Sequence, residues 1–186
     1  MIILVGESAC GKSSIEKVLV NKYGYDKTVS YTTRPPRDGE IDGVDYNFIT
    51  EDEFIEKNRS GYFVEIGAYN GWFYGTTKKQ YTDKTVCVLT PHGLRQIQKK
   101  LKDENVNICS FYINVPRRDR LIQILKRGDD IDESIRRNQS DVGQFDGIED
   151  EVTHVLNNPK YKNSPVFMAD LIIDIIDSFK GDNLWK

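Results

Sequence analysis

Near its start the chain carries the stretch Gly6-Glu7-Ser8-Ala9-Cys10-Gly11-Lys12-Ser13, which matches the pattern G-x-x-x-x-G-K-[ST]. Glycine at the two fixed positions permits backbone turns and a close approach that a Cβ atom would obstruct. Successive N–H groups of such a loop point inward and bind phosphate. In this pattern Lys12 reaches the β- and γ-phosphates and the Ser13 hydroxyl binds Mg²⁺. The stretch therefore predicts a nucleoside triphosphate site.

The flanking residues place this loop between a strand and a helix. Ile2 to Val5 is apolar at every position, as parallel strands covered on both faces tend to be. Apolar residues recur at helical spacing from about Lys12 to Tyr23, and Gly24 suits the helix end. A helix that starts at the loop adds its positive N-terminal end to the phosphate site. The predicted ATP-binding residues are Gly6, Ser8, Ala9, Cys10, Gly11, Lys12, Ser13 and Ser14, with Ser13 as the metal ligand.

The residue pattern of the sequence changes between residues 28 and 81. β-Branched and aromatic residues alternate there with glycine and proline. This pattern predicts short antiparallel strands and hairpins, with one helix near Glu51 to Asn58. We interpret the stretch as an inserted subdomain rather than a linker.

Strands and helices alternate again from residue 82 onward. Strands are predicted at 85–89, 108–115 and 152–156, and helices at 94–102, 118–126 and 166–179. The polar segment 128–147 has few core residues and is predicted to be a mobile helical lid. This order indicates an α/β fold of three layers around a mostly parallel sheet, as in P-loop NTPases. The chain then forms one domain with a core (1–27, 82–127 and 148–186), the inserted mixed β subdomain (28–81) and the lid (128–147).

Composition limits the class of protein. Of 186 residues, 38% are apolar and 30% are charged, which is the balance of a globular protein rather than a disordered one. The net charge of -3 provides no global field for nucleic acid or an anionic membrane, so any anion site must be local. Three scattered cysteines fit neither a disulfide framework nor a zinc site. We expect a cytoplasmic protein with no nucleic-acid or membrane partner.

A second anion site is predicted around two prolines. Arg34 and Arg37 flank Pro35-Pro36, and proline holds the preceding residue in an extended conformation. A rigid segment with two guanidinium groups is a good clamp for phosphate, and the Tyr46 hydroxyl can join it. The alternative is a solvated ion-pair cluster of both arginines with Asp38 and Glu40.

The chain resembles the guanylate kinase family over about its first 80 residues. The resemblance rests on the phosphate loop, on Tyr74-Gly75-Thr76, and on a long middle motif, Val29-Ser30-x-Thr32-Thr33-Arg34-x-Pro36-Arg37-x-Gly39-Glu40-x-x-Gly43-x-Asp45-Tyr46-x-Phe48. By this resemblance, segment 28–81 is the monophosphate-binding subdomain. Arg34, Arg37 and Tyr46 hold the acceptor phosphate with help from Tyr74, whereas Ser30, Glu65 and Thr76 contact guanine.

Two regions depart from the family pattern. The family's lid supplies arginines to the transferring phosphoryl group. The candidates in this chain are Arg127, Arg136 and Arg137. We predict that the catalytic residues are Arg127 and Arg137, together with Lys12 and Arg34. A charged helix face is the alternative for each lid arginine. After strand 85–89, Thr90 stands where the family carries an aspartate. This change affects either acceptor choice or metal support.

The resemblance implies an Mg²⁺-dependent kinase that transfers the γ-phosphoryl group of ATP to GMP or dGMP. ATP and a nucleoside monophosphate are the expected ligands, and the chain is expected to be a monomer or a homodimer. One alternative is a kinase for another nucleoside monophosphate, which Thr90 suggests. The other is a guanylate-kinase-like protein-interaction module without catalysis, although such modules usually lack a good phosphate loop.

Overall fold

The computed structural model describes residues 1–180 except 70, 103, 105 and 129. Its strands are β1 (Ile2–Val5), β2 (Asp26–Lys27), β3 (Tyr31–Thr32), β4 (Asn47–Phe48), β5 (Phe63–Tyr69), β6 (Trp72–Thr77), β7 (Thr85–Leu89), β8 (Cys109–Asn114) and β9 (His154–Asn157). Its α-helices are α1 (Lys12–Tyr23), α2 (Glu51–Arg59), α3 (Pro91–Lys100), α4 (Arg117–Arg127), α5 (Ile131–Ser140) and α6 (Pro165–Lys180). Residues 181–186, the end of the predicted core, lie outside the described part.

A parallel five-stranded sheet forms the centre, in the order β2-β7-β1-β8-β9. Strand β1 lies in its middle, with Ile2 opposite Val86 on one side and Cys109 on the other. All four pairings in this sheet are parallel. The carboxyl ends of these strands lie at one edge, and this places the loop after β1 beside the ends of β7 and β8.

Helices cover both faces of this sheet. Alternate side chains of β1 point to opposite faces, so Ile2 and Leu4 pack with α1 and α6. Ile3 and Val5 pack on the other face with Leu94 and Ile97 of α3. The two apolar clusters explain why β1 is apolar at every position, and they confirm the predicted three-layer α/β fold.

The inserted segment contains a second sheet in the order β4-β3-β6-β5. Its β5–β6 hairpin is antiparallel, whereas β3 and β4 pair in parallel, so the sheet is mixed, as predicted for this subdomain; the parallel pair is the one departure from the antiparallel hairpins that the local pattern indicates. Thr50 is the N-cap of helix α2 and forms a reciprocal capping box with Glu53. Its Phe54 ring stacks on the rings of Phe63 and Phe73 at centroid distances of 4.7 and 5.4 Å, and this attaches the helix to the sheet.

A side chain of α3 joins the two sheets. Gln96 Nε2 donates to the carbonyl of Ile66 at 2.6 Å, and its Oε1 accepts from the N–H of Ile66 at 3.2 Å. The amide thus takes the place of a neighbouring strand on the outer side of β5.

Predicted boundaries agree with the structure most closely where the apolar pattern is strongest. Strands β1 and β7 and helix α1 begin and end at the predicted residues. Helix α3 begins at Pro91 rather than at residue 94, because Thr90 caps it, and β9 begins at His154 rather than at residue 152. The two-residue strand β2 was not predicted. Among the helices that the structure describes, none combines the length and apolar content that a membrane span requires.

Candidate active site

The phosphate loop connects β1 to α1. Gly11 adopts a left-handed conformation with φ of 101°, and α1 begins at the next residue. Lys12 Nζ folds back over the loop and donates to the carbonyls of Gly6 at 2.6 Å and of Glu7 at 2.9 Å. Tyr161 Oη fixes the loop from outside by donating to the carbonyl of Ala9 at 2.6 Å. The loop therefore has a defined shape, with a cation beside it.

Gly6 is packed too tightly to accept a side chain. A Cβ atom there would stand 2.7 Å from Cys10 Sγ and 2.8 Å from the carbonyl oxygen of Ile113. We expect Gly6→Ala to lower the free energy of unfolding by about 1–3 kcal/mol, as overpacked substitutions do. Urea denaturation measures this, with Gly67→Ala as the control because a Cβ atom at Gly67 meets nothing within 4 Å. Equal unfolding free energies for the two variants would contradict the packing argument.

A cleft of about 610 Å³ lies between the phosphate loop, the second sheet and α5. Nine of the predicted site residues line this cleft, namely Ser8, Ser13, Ser30, Arg34, Arg37, Tyr46, Glu65, Tyr74 and Arg137. Thr90 and His92 line it as well, at the start of α3. The structure thus brings the two predicted anion sites to one cavity.

Arg34 is a buried cation in this cleft. Its side chain is 5% exposed, and Nη2 donates to both carboxylate oxygens of Glu40 at 2.7 and 2.9 Å. Burial disfavours the guanidinium charge, but the hydrogen bond and charge of Glu40 outweigh it and raise the pKa of Arg34. The sequence offered an ion pair with Glu40 as an alternative to phosphate binding, and the structure contains this pair for Arg34. It fixes the guanidinium 5.3 Å from the ring of Tyr46.

Arg37 and Tyr46 lie beside Arg34. Arg37 is exposed, and its Nη2 stands 3.8 Å from Glu133 Oε1 on α5, so it links the second sheet to the predicted lid. The ring centroids of Tyr46 and Tyr74 are 6.0 Å apart, and the ring planes meet edge to face at 65°. Burial raises the pKa of Tyr46, so its hydroxyl remains protonated and can donate a hydrogen bond.

A buried carboxylate lies at the other end of the cleft. Glu65 is 6% exposed, and its Oε1 accepts from the hydroxyl of Thr76 at 2.7 Å. The Thr76 hydroxyl is in turn 2.8 Å from that of Ser30. Gly93 of α3 lies beside this carboxylate, because a Cβ atom built on it would be in ordinary contact with Glu65 Oε2 at 3.6 Å. The three residues that the sequence assigned to the base form one hydrogen-bonded chain.

Burial raises the pKa of Glu65 above its ordinary 4.5, against smaller opposite effects of Thr76 and Lys100. The folded protein therefore holds this proton more tightly than the unfolded chain does, and Glu65 makes stability fall as pH rises through the window above 4.5. We expect the stability of Glu65→Gln relative to the parent protein to increase between pH 4 and pH 8. Urea denaturation of both proteins across this range measures it, and a constant difference would contradict the assigned pKa direction.

The predicted lid contains a helix, and its arginines differ in position. Arg137 on α5 lines the cleft and donates from Nε to Glu133 Oε1 at 2.7 Å. Arg136 is exposed and also pairs with Glu133. Arg127 ends α4, is exposed and is not among the residues that line the cleft. The structure therefore places only Arg137, of these three, at the site.

Thr90 caps a helix where the family carries its aspartate. Its Oγ1 accepts from the N–H of Gly93 at 3.2 Å, at the first turn of α3. Threonine preserves the cap that an aspartate would provide, but it brings no charge into the cleft.

Sequence reasoning missed Arg120 as a neighbour of the phosphate loop. This arginine of α4 is 4% exposed and contacts Glu7 and Ser8 of the loop. The one available signal was the acidic Glu7 within the phosphate loop, which requires a partner when it is partly buried.

Together these features define a class: a P-loop kinase whose cleft joins a nucleotide-phosphate loop to a second cationic pocket. A family model described as guanylate kinase matches residues 1–164. The chain belongs to the guanylate kinase family, and the predicted family and enzyme class are confirmed.

Individual relatives agree with this assignment. The chain is 33% identical over 145 residues to a guanylate kinase of Nitratidesulfovibrio vulgaris, and this match covers 74% of this chain and 68% of the relative. It is 29% identical over 184 residues to a guanylate kinase of Aster yellows witches'-broom phytoplasma, covering 95% and 84%. A solved structure of guanylate kinase from Anaplasma phagocytophilum has a TM-score of 0.68 at 23% identity, covering 96% of this chain and 84% of the other, and this supports the fold.

Proposed function

We propose that the protein transfers the γ-phosphoryl group of ATP to GMP or dGMP with Mg²⁺, giving ADP and the guanosine diphosphate. One observation carries this proposal. A single cleft contains the phosphate loop at one side and, at the other, a buried arginine and a buried carboxylate suited to a phosphate and a guanine.

The phosphate loop binds the donor. Its backbone N–H groups and the N-terminus of α1 bind the phosphates of ATP, and Lys12 moves from the loop carbonyls to the β- and γ-phosphates. Ser13 is exposed at the first turn of α1 and lines the cleft, so its hydroxyl oxygen suits a hard cation such as Mg²⁺. Among the described residues no group of three or more His, Cys, Asp or Glu side chains could hold a metal, so the nucleotide and water would supply most ligands. Bound Mg²⁺ would neutralise charge on the phosphates.

The acceptor phosphate binds to Arg34, Arg37, Tyr46 and Tyr74. Arg34 is fixed by Glu40, so little side-chain entropy is lost when it meets the phosphate. The hydroxyl groups of Tyr46 and Tyr74 add neutral donors beside it. Two cations and two phenols offset the repulsion between the acceptor phosphate and the γ-phosphate.

Guanine is recognised by the chain of Glu65, Thr76 and Ser30. The ionised Glu65 carboxylate accepts from the N1–H and N2–H₂ groups of guanine, which are adjacent donors. The Ser30 hydroxyl, which lines the cleft, can turn from Thr76 and donate to O6, while Thr76 keeps donating to the Glu65 carboxylate. Adenine lacks the donor pair and would leave the buried carboxylate unpaired, so the site rejects it.

The transfer needs no general base, because an acceptor phosphate oxygen is already ionised near neutral pH. The protein aligns this oxygen with the γ-phosphate, and Arg137 neutralises charge that spreads over the transferring group. Contacts of α5 with the second sheet, such as Glu133 with Arg37, bring the lid over the cleft and exclude water.

ADP release with ATP and Mg²⁺ tests the proposal against GMP, dGMP, AMP, CMP, UMP and dTMP, with a control that contains no acceptor. Turnover with GMP or dGMP alone is the expected result. Turnover with another acceptor would keep the mechanism and change the specificity. A kinase for another nucleoside monophosphate is the second candidate function, because Thr90 brings no charge to the position where the family carries an aspartate. If the folded protein releases no ADP with any of these acceptors, the result would instead favour a non-catalytic interaction module. A cytoplasmic location and a monomeric or homodimeric state remain predictions.

A further inference from the structure

The buried Arg120 makes two hydrogen bonds to the phosphate loop and a third to the residue that follows β8. Its Nη1 donates to the carbonyl of Ser8 at 3.2 Å, and its Nη2 to Glu7 Oε1 at 3.2 Å. Its Nε donates to the carbonyl of Val115 at 3.0 Å, at the end of β8. The guanidinium plane therefore fixes the loop relative to the central sheet from outside the cleft.

Two acids surround this arginine. Glu7 Oε2 also accepts from the hydroxyl of Tyr112 at 3.0 Å, so both oxygens of the loop carboxylate are engaged. Asp141 follows α5, and its Oδ2 accepts from the backbone N–H of Ser8 at 2.7 Å while lying 3.9 Å from Arg120 Nη1. Ser8 is thus bonded at both its N–H and its carbonyl.

We propose that Arg120 is a positioning residue for the donor nucleotide. It holds the Ser8 peptide in the orientation that phosphate binding needs, and it neutralises Glu7, whose charge would otherwise repel ATP at close range. Asp141 has the opposite effect, because its carboxylate takes a loop N–H and adds negative charge beside the phosphate site. The inference rests on the proposed function for the identity of the donor.

Geometry and charge predict different results for two substitutions. Lysine keeps the charge but cannot reproduce the planar fork that contacts Ser8, Glu7 and Val115 together. We therefore expect Arg120→Lys to weaken ATP binding through lost geometry, and Arg120→Gln to weaken it further because Glu7 then also lacks its cation. Loss of these charge-assisted contacts corresponds to about a 10- to 100-fold increase in the Kd for ATP.

Calorimetric titration of the full chain with MgATP and, separately, with GMP tests the proposal. The Kd for GMP is expected to stay within about twofold of the parent value, since Arg120 does not line the cleft. Asp141→Asn is expected to tighten ATP binding several-fold, because it removes the competing charge. Arg95→Gln is the matched control, since Arg95 forms an exposed ion pair with Glu151.

Arg120→Gln leaves Glu7 without the cation that bonds it and can fail to fold, so the double variant Glu7→Gln/Arg120→Gln neutralises that acid as well. Weakened ATP binding with unchanged GMP binding in this folded double variant supports the positioning role. Parental ATP affinity in Arg120→Lys, an equal loss of ATP and GMP binding, or weaker ATP binding in Asp141→Asn would overturn it. Absence of GMP turnover in a parent protein that still binds ATP would overturn the proposed function and leave this inference standing.

Discussion

Replacing Lys12 by alanine is expected to lower kcat by about 10²- to 10³-fold, the cost of losing one preorganised group that stabilises transition-state charge. The Lys12 ammonium lies within 2.6 and 2.9 Å of the carbonyls of Gly6 and Glu7 and can turn toward the β- and γ-phosphates when they arrive. Coupled ADP release with saturating GMP measures the effect.

Lys22→Ala is the matched control for this experiment. Lys22 lies on the last turn of the same helix and pairs with Asp170 at the surface. Its removal is expected to leave kcat unchanged, and thermal unfolding of both variants shows whether they are folded. Full activity of a folded Lys12→Ala protein would remove the phosphate loop from the mechanism.

Glu65→Gln is expected to lower kcat/KM for GMP by about 10²-fold, which corresponds to a lost hydrogen bond to a charged group in a desolvated site. Glutamine offers one oxygen acceptor and points an N–H₂ group at a second donor. Inosine monophosphate lacks the 2-amino group, so it already leaves part of the carboxylate unpaired. The ratio of kcat/KM for GMP to that for inosine monophosphate is therefore expected to fall toward one in the variant.

Glu56→Gln provides the control for Glu65, because Glu56 is exposed on α2. Both ratios are measured with the same coupled assay at pH 8, because burial raises the pKa of Glu65 and a higher pH favours its ionised form. A Glu65→Gln protein that retains the parental preference for GMP over inosine monophosphate would show that guanine is recognised elsewhere in the cleft.

The sequence predicted those parts of the fold that follow from local pattern. β1, the phosphate loop and α1 depend on an apolar run, two glycines and a helical stripe, all within 23 residues. β2 could not be predicted, because its two residues are exposed and it is defined only by pairing with β7. The parallel pairing of β3 with β4 depends likewise on partners that a two-residue strand does not specify.

The site divides in the same way. The family resemblance was enough to assign Arg34, Tyr46 and Glu65 to one acceptor site, and all three line the same cleft. It could not separate Arg137 from Arg127, because the position of each depends on how α4 and α5 pack. Arg120 stands near two other arginines at the start of α4 and has the pattern of a solvated face. Its burial is a tertiary property, so only the structure reveals it.

The contact of Gln96 with Ile66 has a consequence for self-association. β5 is an edge strand of the second sheet, and such edges present N–H and carbonyl groups on which another chain can build intermolecular β-structure. Gln96 occupies both groups of Ile66 on that edge. An incoming strand must displace this amide before it can add to the sheet, so a single side chain blocks one route to aggregation.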